Sequence, residues 1–230
     1  MRGNAQLTRR GVDTTHDAMA IDSDAREHVS LASMAVIRER VAAHVVDAAL
    51  TTTAELNDPE NSGRAAVAIV LRENSTGPQI LLIRRAERAG DPWSGHMAFP
   101  GGREDPRDES LLATALRETR EELSLDLSYA GRLLGALSVL PAIARGLATG
   151  MVIAPFVFEL TEEAPIAYKP DEVSEAVWVP VEPLMRGALR TTIPYEMSGQ
   201  RLTLPAHDFE GRIVWGLTYR MLDDLFALLR

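Results

Sequence analysis

The stretch from residue 97 to residue 125 reads MAFPGGREDPRDESLLATALRETREELSL, an apolar segment that breaks at a glycine pair and then takes up a helical pattern. Phe99-Pro-Gly-Gly-Arg103 is a tight apolar-to-glycine turn, where Gly101 and Gly102 permit close backbone approach and a carbonyl aimed outward. The spacing that follows predicts a helix from about Asp108 to Leu123, with Asp105 or Asp108 as its cap and Pro106 in its first turn. Leu112, Ala115, Leu116, Thr119 and Leu123 give this helix a face that can pack on a sheet. Glu118, Glu121 and Glu122 fall at i, i+3 and i+4 and converge on the opposite side.

Upstream, Arg64-Ala-Ala-Val-Ala-Ile-Val-Leu-Arg72 is expected as a strand buried on both faces, and a loop holding Asn74 and Gly77 leads to a second strand over Gln79–Arg84. Residues 85–98 read as irregular. Further upstream, Leu31, Met34, Ile37, Val41, Val45 and Ala48 recur at steps of three and four, the mark of an amphipathic leading helix. Downstream, 132–137, 151–159 and 176–179 are strand-like, and the stretch from Gly211 closes in a periodic apolar helix over Leu217–Leu229. Strands and helices mix without a regular βαβ repeat, so the expected class is α/β with a mixed sheet between helices. The expected division is an extension over 1–30 that is disordered or artificially appended, a leading helix over 31–55 and a catalytic domain over 56–230. Trp178 and Trp215 lie in apolar strand-like settings and are expected in the core.

The whole chain narrows the function classes. Its 230 residues, 46% hydrophobic and 25% charged, have ordinary globular composition, and no apolar run approaches the roughly 20 residues of a spanning helix. No membrane role is expected. The absence of cysteine removes disulfides, thiolate zinc sites and a cysteine nucleophile, and suits a reducing, cytoplasmic setting. A formal charge of −9 argues against a nucleic-acid partner, whose backbone demands a broad cationic surface. A small polyanion is compatible if arginines or metal ions hold it.

Taken alone, a glutamate-rich helix face is solvated surface, and Arg117 with Glu121 is an ordinary i,i+4 ion pair. The adjacent glycine turn changes that weighing. A cluster of carboxylates beside a turn carbonyl is an oxygen-ligand set for a hard divalent ion, Mg²⁺ or Mn²⁺, which would neutralise a bound diphosphate and activate a water.

These residues closely resemble the Nudix box, a glycine followed by a glutamate, then Arg-Glu, then Glu-Glu and a glycine at fixed spacing. Gly102, Glu109, Arg117, Glu118, Glu121 and Glu122 match it. The resemblance implies a Nudix-type α/β/α sandwich with an added N-terminal helix. It also implies that Glu118, Glu121 and Glu122 bind metal with the Gly102 carbonyl, that Arg117 belongs to the catalytic group, and that Glu109 pairs with Arg117 while Gly101 shapes the turn. Two departures stand out: the gap from Gly102 to Glu109 is one residue longer than usual, and Ser124 replaces the closing glycine. A serine in a left-handed helix-ending conformation costs on the order of 1 kcal/mol relative to glycine.

Outside the box, residues 81–86, 95–102, 169–180 and 213–218 are similar to the coenzyme A diphosphatase branch of the Nudix family, which also has the longer glycine-to-glutamate gap. That branch implies hydrolysis of coenzyme A or acyl-coenzyme A to a phosphopantetheine and adenosine 3′,5′-bisphosphate. The alternatives are an ADP-ribose, nucleotide-sugar or other nucleotide pyrophosphatase, and a non-catalytic nucleotide-sensing module. The stretch 87–94 is longer here than the branch's pattern, with Arg88 as the candidate for its arginine. Arg84, Arg85, Arg88 and Arg103 are the expected substrate-binding residues, since arginine suits bidentate phosphate contact. Trp93 is expected to pack and His96 to hydrogen-bond within its loop. A further carboxylate is expected from Glu159, Glu172 or Glu175, and a homodimer through the leading helix or an edge strand is compatible with the pattern.

Overall fold

One strand organises the domain by alternation. β1 (Gly63–Asn74) sends Ile69 and Leu71 to one face of the sheet and Ala66, Ala68 and Val70 to the other, all of them 0% exposed, so both faces must be covered. The computed structural model describes residues 33–44, 63–91, 93–144, 147–197 and 199–230. The expected extension over 1–30 lies outside the described residues, as does the expected leading helix beyond residue 44.

In chain order, α1 (Met34–Ala43) precedes β1, and β2 (Gly77–Arg85) follows it. Then come β3 (Met97–Ala98), β4 (Gly101–Arg103), α2 (Leu111–Leu123), α3 (Leu127–Ala130), β5 (Gly131–Ala136), β6 (Leu140–Ala144) and β7 (Leu147–Leu160). The chain closes with β8 (Val173–Pro180), α4 (Val181–Met185), β9 (Arg190–Met197), β10 (Gln200–Phe209), β11 (Arg212–Trp215) and α5 (Gly216–Leu229). The turn between β1 and β2 is set by Asn74, whose Oδ1 accepts from both the backbone N–H and the hydroxyl of Thr76, each at 2.8 Å.

Among the described residues β1 to β8 make one sheet of eight strands, in the order β3, β2, β1, β7, β5, with β4 added to β1, β6 to β7 and β8 to β2. β1 and β7 run parallel, from Gly63 opposite Met151 to Leu71 opposite Glu159. The other pairings of this sheet are antiparallel. Met34, Ile37 and Val41 of α1 and Leu222, Leu225, Phe226 and Leu229 of α5 pack on Ile69, Leu71, Ile80 and Leu82. Leu111, Ala115 and Leu123 of α2 and Leu127 of α3 pack on Ala66, Val70, Leu81 and Phe156. The result is the expected α/β/α sandwich around a mixed sheet. Each fully buried aliphatic side chain contributes about 1.5–3 kcal/mol to it.

The apolar stripe of α1, which on sequence grounds also suited self-association, is occupied by the chain's own core. The helix is fixed at its start by Ser33, whose Oγ accepts from the Val36 N–H (3.3 Å). Along its length Arg38 pairs with Glu159 of β7 (2.5 Å), which Arg132 of β5 grips from the other side.

Beyond α4, β9, β10 and β11 form a separate antiparallel sheet of three strands. Sequence periodicity does not announce it, because Pro194 and Pro205 interrupt runs that otherwise alternate. Arg212 ties it to the main sheet through Glu175 of β8 (2.5 Å). Trp178 and Trp215 are both half-buried, and Trp178 packs against the core on the α2 side of the sheet as expected. The Arg72 guanidinium lies 4.1 Å from the Trp178 ring centroid, and Trp215 meets His96 at 4.8 Å and Tyr195 at 5.4 Å.

Candidate active site

β4 is only three residues long, yet it fixes the floor of the site. Gly102 lies opposite Ala66 and Gly101 opposite Val67 on the central strand. Gly101 has φ +151°, and a Cβ there would come within 2.3 Å of the Ala66 carbonyl oxygen and 2.6 Å of Val67 Cα. Only glycine fits that approach. At Gly102 a Cβ would fall 2.5–2.7 Å from the carboxyl atoms of Glu118, so the space above the turn is filled by a carboxylate from α2.

α2 begins later than its sequence pattern indicates. Its N-cap is Ser110, whose Oγ accepts from the Ala113 N–H (3.1 Å), rather than Asp105 or Asp108. Asp108 is turned inward instead. It accepts from Arg117 at both oxygens (2.9 Å each) and from the Thr114 hydroxyl (2.9 Å). This corrects the expected partnership of Arg117 with Glu109, which is exposed. Counted from Gly102, Asp108 stands at the usual spacing and the extra residue falls between it and the helix, so the aspartate reaches the guanidinium. These bonds hold the Asp108 carboxyl well below the usual carboxylate range and raise the Arg117 pKa.

Arg117 also donates to Glu118 (2.8 Å), Glu121 (3.1 Å) and the Arg103 carbonyl (3.0 Å), so one side chain orders the turn and two of the three glutamates. Glu121 remains half exposed, whereas Glu122 is buried at 7% exposure. The Glu122 Oε2 accepts from the Gly101 N–H (2.9 Å). Burial, partly offset by that bond and by the charge of Arg85, pushes its pKa up to about 7. Glu118 is raised too, again chiefly by burial, against the pull of Arg117. With Arg117 drawing Glu118 and Glu121 to itself, the acidic side chains do not stand as a closed ligand group among the described residues. The donor set nevertheless fits a divalent cation: hard carboxylate oxygens, of which those of Glu118 and Glu122 are desolvated and those of Glu122 form no ion pair among the described residues, over a turn built on two glycines.

Arg84, Arg85 and Arg88 line a cavity of about 670 Å³ with Gly95, Asp171 and Ser174. Each of the three is held from within: Arg84 by Glu175 (3.3 Å), Arg85 by Asp91 (3.0 Å) and Arg88 by the Asp171 carbonyl (2.8 Å). Arg103 lies apart as an exposed side chain. Among the candidate further carboxylates, Glu159 is committed to Arg38 and Arg132, and Glu175 to Arg212 and Arg84. Glu172 is the one whose charge acts on Glu122. Trp93 packs against the core, and the His96 backbone accepts from the Arg85 N–H (3.0 Å) while burial lowers the pKa of its ring.

A two-faced sandwich that sets a glycine turn under one acidic helix is the arrangement that the turn-and-helix motif implied. The chain belongs to the NUDIX domain family, whose model matches residues 62–196. It is 32% identical over 158 residues to an uncharacterized Schizosaccharomyces pombe protein, covering 62% of this chain and 48% of that one. It is 29% identical over 148 residues to the uncharacterized Nudix hydrolase NudL of Yersinia pestis, covering 64% of this chain and 71% of that one. The chain thus spans about half the length of the fission-yeast relative. A Caenorhabditis elegans Ap4A hydrolase structure aligns with a TM-score of 0.45 and 19% identity over 54% of this chain and 84% of that one.

Proposed function

We propose that the chain is a Mg²⁺- or Mn²⁺-dependent diphosphatase that hydrolyses a nucleoside diphosphate derivative. Coenzyme A or acyl-coenzyme A is the leading substrate, giving a phosphopantetheine and adenosine 3′,5′-bisphosphate. The observation that carries this reading is the buried, cation-poor carboxylate of Glu122 beside Glu118 on the Gly101–Gly102 turn. Glu118, Glu121, Glu122 and the Gly102 carbonyl are the residues that would hold the ion, which would supply charge neutralisation at the diphosphate and acidify an attacking water. Arg117 orders those ligands from the protein side. Glu172 is the candidate to accept the water's proton, because Glu159 and Glu175 are each held by two arginines. The cavity at the end of β2 falls in the size range of nucleotide-sized ligands, and its arginines suit phosphate oxygens.

A second reading has its own support. Arg88, in the stretch whose length departs from the coenzyme A branch, donates to the backbone carbonyl of Asp171, and an arginine spent there instead of in that branch's role favours ADP-ribose, a nucleotide sugar or another dinucleotide. Incubating the protein with Mg²⁺ and coenzyme A, ADP-ribose, nucleotide sugars and nucleoside triphosphates, with products resolved, decides between them. Failure to cleave a diphosphate in any of them would overturn the enzymatic reading. Glu121→Gln is expected to abolish turnover and metal dependence, whereas a nucleotide sensor would keep its ligand response.

A further inference from the structure

The three cavity arginines are not equally free to meet a ligand. Arg88 spends both Nε and Nη2 on the Asp171 carbonyl, at 3.2 and 2.8 Å. Arg85 gives its Nη2 to Asp91 at 3.0 Å and buries an Nε that has no hydrogen-bond partner among the described residues. Arg84 is bound through its Nε alone, to Glu175 Oε2 at 3.3 Å, and neither of its terminal nitrogens hydrogen-bonds to a described residue. Its side chain is 37% exposed and lines the cavity, so the end-on pair of donors that can grip a phosphate is left open.

The pairing of β2 with β8 sets this contact. Arg84 lies opposite Glu175, the register slips at the next residue, where Arg85 faces Val173, and the Ser174 hydroxyl closes the backbone by donating to the Arg84 carbonyl at 3.2 Å. The two oxygens of Glu175 are divided between two arginines. Oε1 accepts from Arg212 Nε at 2.8 Å and Nη2 at 2.5 Å, which leaves Oε2 for Arg84. Arg212 belongs to β11, and its Nη1 also donates to Glu210 at 3.1 Å. By occupying Oε1, Arg212 denies Glu175 the two-pronged pairing that would draw a terminal nitrogen of Arg84 away from the cavity. We propose that Glu175 is a positioning residue: clamped by Arg212 of the three-stranded sheet, it holds Arg84 by Nε alone and presents both Nη groups to a diphosphate oxygen of the substrate.

This role for Glu175 rests on the diphosphatase reading for its class of ligand, and calorimetric titration with inorganic pyrophosphate in metal-free buffer tests it apart from hydrolysis. Arg84→Ala is expected to weaken pyrophosphate binding about tenfold, the loss of a charge-assisted pair. Glu175→Gln keeps the shape and one acceptor oxygen but gives up the charge, and is expected to weaken binding about fivefold. Because Glu175 acts through Arg84, the double variant should bind no more weakly than Arg84→Ala. In turnover of whichever panel substrate is cleaved, Glu175→Gln should raise KM about fivefold and keep kcat within about twofold, whereas a loss of folded protein would lower kcat and leave KM as it was. A parent that binds no pyrophosphate, an unchanged Arg84→Ala or Glu175→Gln, a double variant in which the two losses multiply, or a Glu175→Gln that lowers kcat alone would overturn the role of Glu175. Pyrophosphate binding that follows the expected pattern, with no diphosphate cleaved across the panel, would instead overturn the hydrolase reading and leave the Arg84 site standing.

Discussion

The pair Asp108–Arg117 carries the order of the site, and its side chains are 7% and 21% exposed. Removing one member leaves a mostly buried charge without its partner. Asp108→Asn is therefore expected to destabilise the protein by about 2–3 kcal/mol, against a full cost of about 3–5 for a wholly buried pair. Glu109→Gln, on an exposed side chain, should stay within about 0.5 kcal/mol of the parent. Thermal unfolding of both variants checks this, and equal losses would show that the two acids share the role. Glu118, Glu121, Glu122 and the glycine pair were legible because their geometry is local: one helix period and one turn. Asp108 was not, because the residue inserted before the helix changes which carboxylate faces the arginine, and spacing read backward from Arg117 lands on the wrong one.

At the scale of elements, α2 ends on Ser124 with φ 54° and ψ 20°, the left-handed conformation expected of the residue that replaces glycine. Ser124→Gly is expected to stabilise the protein by about 1 kcal/mol. For a chain of this size that raises Tm by roughly 2–4 °C, measurable by differential scanning calorimetry. An unchanged or lower Tm would mean that glycine's extra freedom in the unfolded chain outweighs the relief. The amphipathic elements α1, α2 and α5 and the apolar strands β1, β2 and β7 were readable because burial writes a period into them. β9 and β10 were not, since their prolines read as breaks, and β3 and β4 are too short to carry a period at all.

At the scale of the whole molecule, Glu122 makes stability depend on pH and on metal. Its folded pKa, near 7, lies above the ordinary glutamate value, so the folded state binds the extra proton across the intervening window. Stability from this group therefore falls as pH rises through that window, by on the order of 3 kcal/mol. His96 and His207, whose pKa values are lowered by burial, act in the opposite sense, adding stability as pH rises toward the ordinary histidine value. The difference between parent and Glu122→Gln isolates the carboxylate. In metal-free urea unfolding the variant's advantage should grow between pH 5 and pH 8, and Mg²⁺ should erase it by stabilising the parent. A constant difference would show that Glu122 is already satisfied.

The parallel pairing of β1 with β7 also has a temporal side. Parallel partners distant in the chain are slow to find one another and cannot do so until both have been made. A nascent polypeptide that has emerged only as far as β5 already holds the glycine turn and the acidic helix, but its central strand still has an open edge. Until β7 arrives that edge is free to recruit other chains, so crowding during synthesis is the period of greatest exposure to misassembly.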